Sequence, residues 1–589
     1  MAHKDIVHFL KTDRSGLSNL GAKLQVPIHT KHLPDARLLW LNERWFYEAG
    51  VYLSDSQIRS EVEAYLLANF AVTTIDADNS ENISRDRHAW CDRYGGSAGS
   101  KQGGSGRCAI HGGLNAKGIG PTPLVSSIAG RSYSHGHMSV SEAVREAILA
   151  ELACAELPHG AIPVIAIIDT AQFFEFEEAV RSQRAAILVR PNFVRPAHFE
   201  RSVYFGTAGT PNSDQYLDAK RVADAIQHVS SDDLFGLSTP EDLGLMFIRF
   251  AEQIGEARAH RLWQGRFLTS NLSTDGALVD FGSFRALPNW CGVTGLPGEK
   301  FGSDSVHIHV AVQSLYYYFH RYASEHFPTL DSPQLAARVE RHVNRAFLKA
   351  SVRAIGIDAR SNRAEAVRAE TLIWKYYRAQ QRFSYLAESD AAKAHRWIYS
   401  ALCGEQNDAE TTVEEISAER ELTHFLIGLG GAKLSAAKRW LMPRPELYHD
   451  TARERSDAIE AALTDVHAQN CASIANFIRS EVATARRRWE CLGSDFQLCS
   501  QYVDSHSSAL LCRRGTEPLL VLNGTVLGGS VTLFGRAIPI ANVLPLVTWR
   551  KGVKITLEVG IGEDALSWPR GLRLGEAYIE IPEPDVIYS

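Results

Sequence analysis

The sequence predicts an α+β protein, with a mixed sheet beside a helix in its first third, a long helical middle and a small β-rich C-terminal module. Three observations lead there. Strand-like runs at Ile162 to Ile168 and Ala186 to Val189 follow a segment, Val140 to Leu152, whose apolar residues Val140, Val144, Ile148 and Leu152 recur at every fourth position. Helical texture dominates from Val306 to about Leu492 and includes Tyr316-Tyr317-Tyr318-Phe319. After about Asp495 the runs become short, apolar and mostly β-branched, punctuated by Gly-Gly, Lys-Gly and Pro: Leu519 to Asn523, Val531 to Phe534, Val553 to Val559, Tyr578 to Ile581.

Composition sets the outer bounds. A chain of 589 residues, 45% hydrophobic and 22% charged, is long enough for roughly two to four domains with sizeable cores. Its formal charge of −6 offers no general attraction for a polyanion, so nucleic acid is not an expected partner. Met1 to Gly16 lacks the apolar core of a secretory signal, and no stretch approaches the roughly 20 apolar residues of a membrane span. A cytoplasmic location is the expectation. Nine cysteines without a Cys-x-x-Cys pair read as reduced thiols. Ser134-His135-Gly136-His137 and His307-Ile308-His309 have no cysteine or carboxylate at ligand spacing, so no structural metal is expected from them.

Taken in order, Arg37-Leu38-Leu39-Trp40-Leu41-Asn42 followed by Trp45-Phe46 reads as a strand running into a helix. Residues 90–121 hold Gly95-Gly96, Gly103-Gly104-Ser105-Gly106 and Gly112-Gly113, a density suited to backbone that approaches a ligand closely. Within them Arg107 to Ile110 and Leu114 to Ala116 read as short strands. The Val140 helix is expected to bury one stripe, with Glu146 off it. Thr239-Pro240-Glu241-Asp242 is a helix start, with Thr as N-cap, Pro in the first turn and acids at the positive dipole end; the helix is expected to reach Trp263. Asn407 to Glu410 reads as an exposed linker, and Ala458 to Trp489 as a long amphipathic helix.

The chemistry concentrates in two short strings, Thr269-Ser270-Asn271 and, nine residues beyond Asn271, Asp280-Phe281-Gly282. At that separation a turn and a short β-ribbon aim an amide oxygen and a carboxylate at one Mg²⁺, as in the ATP sites of kinase-like folds. Upstream, Lys117 follows a strand and precedes a Gly-Ile-Gly-Pro turn, which leaves its ammonium free to enter a cleft. Glu146 on the helix is placed to pair with it. Arg190 and Arg195 flank Pro191-Asn192-Phe193-Val194, and guanidinium forks suit bidentate phosphate contacts.

These strings resemble the selenoprotein O family of protein-adenylylating pseudokinases. The resemblance rests on Ala36 to Glu43 (ARLLWLNE), Gly104 to Ile110 (GSGRCAI), Lys117 to Pro123 (KGIGPTP), Val144-Arg145-Glu146, Phe193 to Glu200 (FVRPAHFE), and the Asn271 and Asp280 strings. It covers roughly residues 30 to 320 in collinear order. It implies a protein-kinase-like bilobal core in which ATP lies in a flipped orientation and AMP, not phosphate, is transferred to a hydroxyl. By the same resemblance Gly104, Gly106 and Arg107 form the glycine-loop contacts, while Lys117, Arg190 and Arg195 bind phosphates. Glu146 orients Lys117, and Asn271 and Asp280 hold Mg²⁺. Gly136 falls at an ATP-contacting glycine, although the acidic residue usual before it is His135 here.

The chain also departs from the family. Ser270 stands where the family has an Asp as proton acceptor, just before the metal-binding Asn, and the tail lacks the redox-active Cys-x-x-Cys or Cys-x-x-selenocysteine end. A neutral hydroxyl is a poor base near pH 7, which leaves three readings: transfer that relies on positioning more than on proton removal, an acceptor already ionised such as a carboxylate, or an ATP-binding scaffold without turnover. With Lys117, Glu146 and Ser270 as the catalytic set, the expected function is Mg²⁺- and ATP-dependent adenylyl transfer to a protein, peptide or small-molecule acceptor, a carboxylate being one option, as in peptide natural-product maturation. The alternative is a non-catalytic ATP-binding subunit of a maturation or regulatory complex. The expected units are an N-lobe-like region (1–200), a C-lobe-like helical region (201–400), a helical extension (401–495) and the β-rich module (496–589).

Overall fold

One eight-stranded sheet organises the first 200 residues. It is seen in a computed structural model that describes residues 3–74, 87–96, 102–126, 134–174, 183–205, 211–231, 235–265, 267–287, 289–296, 299–328, 332–382, 384–385, 402, 413–441, 475–476, 478–479 and backbone strands between 496 and 579. The chain runs through α1 (His3–Lys11), β1 (Gln25–His32), β2 (Arg37–Leu41), α2 (Glu43–Glu48), α3 (Ser56–Phe70), β3 (Val72–Thr74), β4 (Arg87–Asp92), β5 (Cys108–His111), β6 (Leu114–Lys117), α4 (Val140–Glu156), β7 (Ala166–Phe174) and β8 (Gln183–Pro191). The spatial order is β2-β7-β8-β6-β5-β4-β1-β3.

Every pairing in this sheet is antiparallel, which corrects the expected mixed sheet. The helical crossover α4 joins β6 to β7, a connection that would make neighbouring strands parallel, but β8 lies between them and pairs antiparallel to both. The strand read as Ile162 to Ile168 begins at Ala166, because Pro163 has no N–H to give to a ladder.

Helix α4 starts where Ser139 caps it, its hydroxyl accepting the Glu142 N–H at 3.1 Å. Every residue from Val140 to Ala153 except the half-buried Glu142 is buried, so the single apolar stripe expected here is the lesser part of the burial. The helix lies between the sheet and the helical half, and Glu146 is enclosed with the rest. Val144 and Ile148 share one core with Val222, Phe247, Phe250 and Phe319.

The helical half follows: a 3-10 turn at Pro196–Phe199, then α5 (Pro211–Ser231), α6 (Pro240–Ala259), α7 (Asp304–Tyr322), α8 (Ser332–Ala354), α9 (Arg363–Gln380), α10 (Val413–Leu429) and α11 (Gly431–Leu441). The capping box of Thr239 and Asp242 opens α6 as its sequence predicts. The helix stops at Ala259, short of Trp263: Arg261 adopts a left-handed φ of 56°, its guanidinium donates to the Trp440 carbonyl at 3.2 Å, and Trp263 enters β9 (Leu262–Trp263), paired with β10 (Arg285–Ala286). A second core gathers Trp263, Trp290 and Trp440 with Phe347 and Tyr376.

Helical texture between 306 and 492 is interrupted by β13 (Ser384–Tyr385), which joins β11 (Gly292–Leu296) and β12 (Glu299–Lys300) in a small sheet. Asn407 to Glu410 lies outside the described residues, as does nearly all of Ala458 to Trp489. The tail is β-rich at the level of its backbone. Strands β14 (Phe496–Val503), β15 (Ser508–Arg514), β16 (Glu517–Leu522) and β17 (Thr525–Leu527) form an antiparallel meander, followed by β18 (Ser530–Leu533), β19 (Arg536–Pro539), β20 (Trp549–Lys551), β21 (Glu558–Gly560) and β22 (Ala577–Ile579). Among the described residues no helix is long and apolar enough to cross a membrane. Of the described cysteines, Cys91, Cys108 and Cys154 are free thiols, and burial pushes the Cys91 thiol up to about 12.

Candidate functional site

Lys117 ends β6, where antiparallel pairing sets it against Leu188 and sets Asn115 against Arg190. Its ammonium donates to both carboxylate oxygens of Glu146 on α4, at 2.7 and 3.1 Å, and both side chains are only 5% exposed. A buried charge is tolerated only with partners of this quality. Arg190 reaches the same carboxylate, with Nη1 3.5 Å from Glu146 Oε1 and Nε donating to Asn115 Oδ1 at 3.3 Å.

The Asn271 and Asp280 strings arrive from the helical half as the ribbon expected of them. Leu272 bridges Leu278 antiparallel, and Val279 N–H donates to the Asn271 carbonyl at 2.9 Å. Asp280 then turns with a left-handed φ of 67°, uncommon for a residue with a side chain and a mark of functional turns. That turn brings Oδ1 to 3.7 Å from Lys117 Nζ, where it also accepts the Gly282 N–H at 3.2 Å. Arg145 on α4 donates to the Gly282 carbonyl at 3.2 Å and ties the turn to the helix. Asp280 is 46% exposed in its side chain while Lys117 beneath it is enclosed; the carboxylate is the open end of the cluster.

Arg195 closes the other side. Its guanidinium lies over the rings of Phe193 and Tyr94, 4.3 and 4.6 Å from their centres, and donates to the Ser270 carbonyl. The Ser270 hydroxyl donates to Asn271 Oδ1 at 3.3 Å.

Arg107 stands at the glycine-rich side, donating to Glu142 at 2.9 Å and to the His137 carbonyl at 3.2 Å. These charges set one another. Lys117 holds the Asp280 carboxyl far below the usual carboxylate range; desolvation opposes it, and Arg107, the Gly282 amide and Arg190 add to it. For Glu142 burial is the largest single influence and pushes upward, yet Arg107, Lys117 and Arg145 together outweigh it and the net shift is downward. A carboxylate with a depressed folded value contributes stability above its unfolded value of about 4, lost as pH falls through the folded value. Arg107→Gln is therefore expected to flatten the rise in stability between pH 3 and pH 7. Urea midpoints across that range check this: the gap between wild type and variant should stay wide from pH 7 to about pH 5 and begin to narrow below about pH 4.

The glycines singled out in the sequence are not alike in what surrounds them. Gly104 and Gly136 are pressed against backbone: a Cβ on Gly104 would sit 2.3 Å from the Asp92 carbonyl oxygen, and one on Gly136 2.1 Å from the Gly120 carbonyl carbon. Chain packing by itself requires glycine at both. Gly106 is different, its nearest obstacle being a Val125 methyl at 3.0 Å.

Sequence reasoning missed Glu142, Asp92, His198 and Arg145. Glu142 was within reach, since Ser139-Val140-Ser141-Glu142 has capping-box spacing; Arg145 and His198 lie inside the strings Val144-Arg145-Glu146 and Phe193 to Glu200 without a role assigned to them, and Asp92 carries no local signal. A separate groove of about 790 Å³ between α9 and α10, lined by Glu365, Arg368, Arg420, Glu421, His424 and Phe425 among others, shares no residue with this cleft. No protein-family model matches the sequence, and no curated protein matches it.

Proposed function

We propose that this chain is a Mg²⁺- and ATP-dependent adenylyltransferase with a protein-kinase-like core of the selenoprotein O kind. The observation that carries the reading is the meeting of Lys117, Glu146, Arg190 and Asp280, from β6, α4, β8 and the 269–282 ribbon, in contacts of 2.7 to 3.7 Å. A lysine strand followed by a glutamate helix, with an Asp-Phe-Gly turn facing their ion pair, is the ATP-handling order of kinases.

The donor chemistry fits a divalent cation: an accessible carboxylate at Asp280 and the amide of Asn271, beside the Leu272 to Leu278 bridge, are hard oxygen ligands suited to Mg²⁺. When bound, Mg²⁺ supplies neutralisation of phosphate charge. The cluster's own charges nearly balance, Arg107, Lys117, Arg145, Arg190 and Arg195 against Asp92, Glu142, Glu146 and Asp280. A bare triphosphate would therefore bring uncompensated negative charge beside Asp280, whereas a metal-bound one would not.

In the reaction the acceptor oxygen bonds to the α-phosphorus of ATP, the α–β phosphoanhydride bond breaks and pyrophosphate leaves. Lys117, Arg190 and Arg195 neutralise the phosphates, and Glu146 holds Lys117 in place. Ser270 offers no base, so a hydroxyl acceptor loses its proton to solvent or pyrophosphate, whereas a carboxylate acceptor brings none to remove.

The test is incubation with Mg²⁺ and ATP labelled separately at the α and γ positions, using wild type and Asp280→Ala. Label retained from α alone, and lost in Asp280→Ala, supports adenylyl transfer. Retention from γ alone makes the chain a kinase, and tight binding without transfer makes it an ATP-binding subunit. Unchanged turnover in Asp280→Ala removes the metal assignment.

A further inference from the structure

Asp92 and His198 form a buried pair behind the cleft that the proposed chemistry does not use. Asp92 ends β4 and is 2% exposed; His198, in the turn Pro196–Phe199, is fully enclosed. His198 Nδ1 accepts the backbone N–H of Arg195 at 2.9 Å, so that nitrogen carries no proton. Nε2 is then the protonated nitrogen, and it donates to Asp92 Oδ1 at 2.8 Å. The second carboxylate oxygen, Oδ2, lies 3.8 Å from Arg195 Nε. The imidazole thus holds the Arg195 backbone by a hydrogen bond, and the carboxylate faces its guanidinium as an ion pair without one.

The pair is itself fixed from behind. Arg221, fully buried, donates to the carbonyls of His198 and Glu200 at 2.6 Å each, and the Tyr94 ring meets the His198 ring edge-on at 5.8 Å. Toward the cleft, the Asp92 carbonyl accepts the Ser105 N–H at 2.7 Å, and Arg195 donates to the Ser270 carbonyl beside Asn271. Asp92 therefore touches the glycine-rich segment directly and reaches the 269–282 ribbon through Arg195.

We propose that Asp92 and His198 are positioning residues that hold the Arg195 guanidinium ready for the polyphosphate of the nucleotide. This rests on the nucleotide reading above. A guanidinium whose orientation is set before binding loses less freedom when phosphate arrives, so the pair acts on polyphosphate affinity and not on the nucleoside. A pair that merely cements the fold would show no such selectivity.

The experiment is calorimetric titration of Mg-ATP and of adenosine into wild type, Asp92→Asn, Arg195→Met and the double variant. Asp92→Asn keeps the size of the side chain and an acceptor for His198 but removes the charge facing Arg195. It is expected to weaken Mg-ATP about tenfold and leave adenosine within about twofold, and the double variant is expected to bind no more weakly than Arg195→Met alone. His198→Gln carries the same expectation and serves if Asp92→Asn does not fold. Wild-type Mg-ATP affinity in Asp92→Asn, equal weakening of both ligands, or full additivity with Arg195→Met overturns the positioning role while leaving the nucleotide reading intact. Failure of the wild type to bind Mg-ATP overturns both.

Discussion

Lys117→Met is expected to lower AMP transfer by about 10²-fold or more, the range seen when one preorganised electrostatic donor is removed from an active site. The substitution keeps the length and apolar stem of the side chain and deletes the charge between Glu146 and Asp280. Stability should fall as well. Removing one partner of a buried ion pair costs about 3–5 kcal/mol when the other is stranded, but Glu146 keeps Arg190 at 3.5 Å, so a loss near the lower end is expected. Lys117→Met/Glu146→Gln separates the two effects: with no stranded carboxylate it should recover much of the lost stability in urea denaturation while remaining inactive. Full activity of Lys117→Met would exclude Lys117 from phosphate binding.

Gly136→Ala is expected to cost about 3 kcal/mol or more, with the pairing of Ile119 and Gly120 against Gly136 and His137 as the casualty. A left-handed φ of 70° is itself unfavourable for alanine by about 1–2 kcal/mol. The added methyl would also lie 2.1 to 2.4 Å from backbone atoms of Gly120 and Pro121, which cannot move aside as a side-chain tip can, and overpacking adds about 1–3 kcal/mol. The bridge between Ile119 and His137 and the Gly120 N–H to Gly136 carbonyl bond, 3.1 Å, would open. Gly106→Ala is the contrast: it meets only the Val125 methyl at 3.0 Å and should change stability by less than about 1 kcal/mol. Thermal and urea unfolding of the two variants decides this; equal stability of both would mean that the Gly136 backbone has room to shift.

Where the signal was local, sequence and structure agree closely. The Thr239 cap, the strand into a helix at Arg37 to Glu48, the short strands around Gly112-Gly113 and the ribbon between Asn271 and Asp280 depend on neighbouring residues, on turn chemistry and on capping. Where the outcome depended on distant chain, local pattern fell short. The periodicity of α4 marks one apolar stripe, but the burial of most of its other side chains comes from the sheet and from residues of α5, α6 and α7 gathered in the same core. The stop of α6 at Ala259 is tied to a Trp440 carbonyl far along the chain. The sheet is antiparallel because β8 inserts between β6 and β7, and strand order is not written in strand composition.

The candidate site divides along the same line. Residue types and their order, Lys117, Glu146, Arg190, Arg195, Asn271 and Asp280, were legible from sequence alone, because the phosphate and magnesium chemistry proposed for them calls for those functional groups. Their convergence was decided by the tertiary structure, which set Lys117 against Glu146 in an enclosed pair, left Asp280 open to the cleft and put Asp92 and His198 behind Arg195. The physical reason is range: capping, turns and periodicity act over a few residues, whereas the electrostatics of a buried charge depend on whatever the fold brings within about 4 Å of it, however distant in sequence.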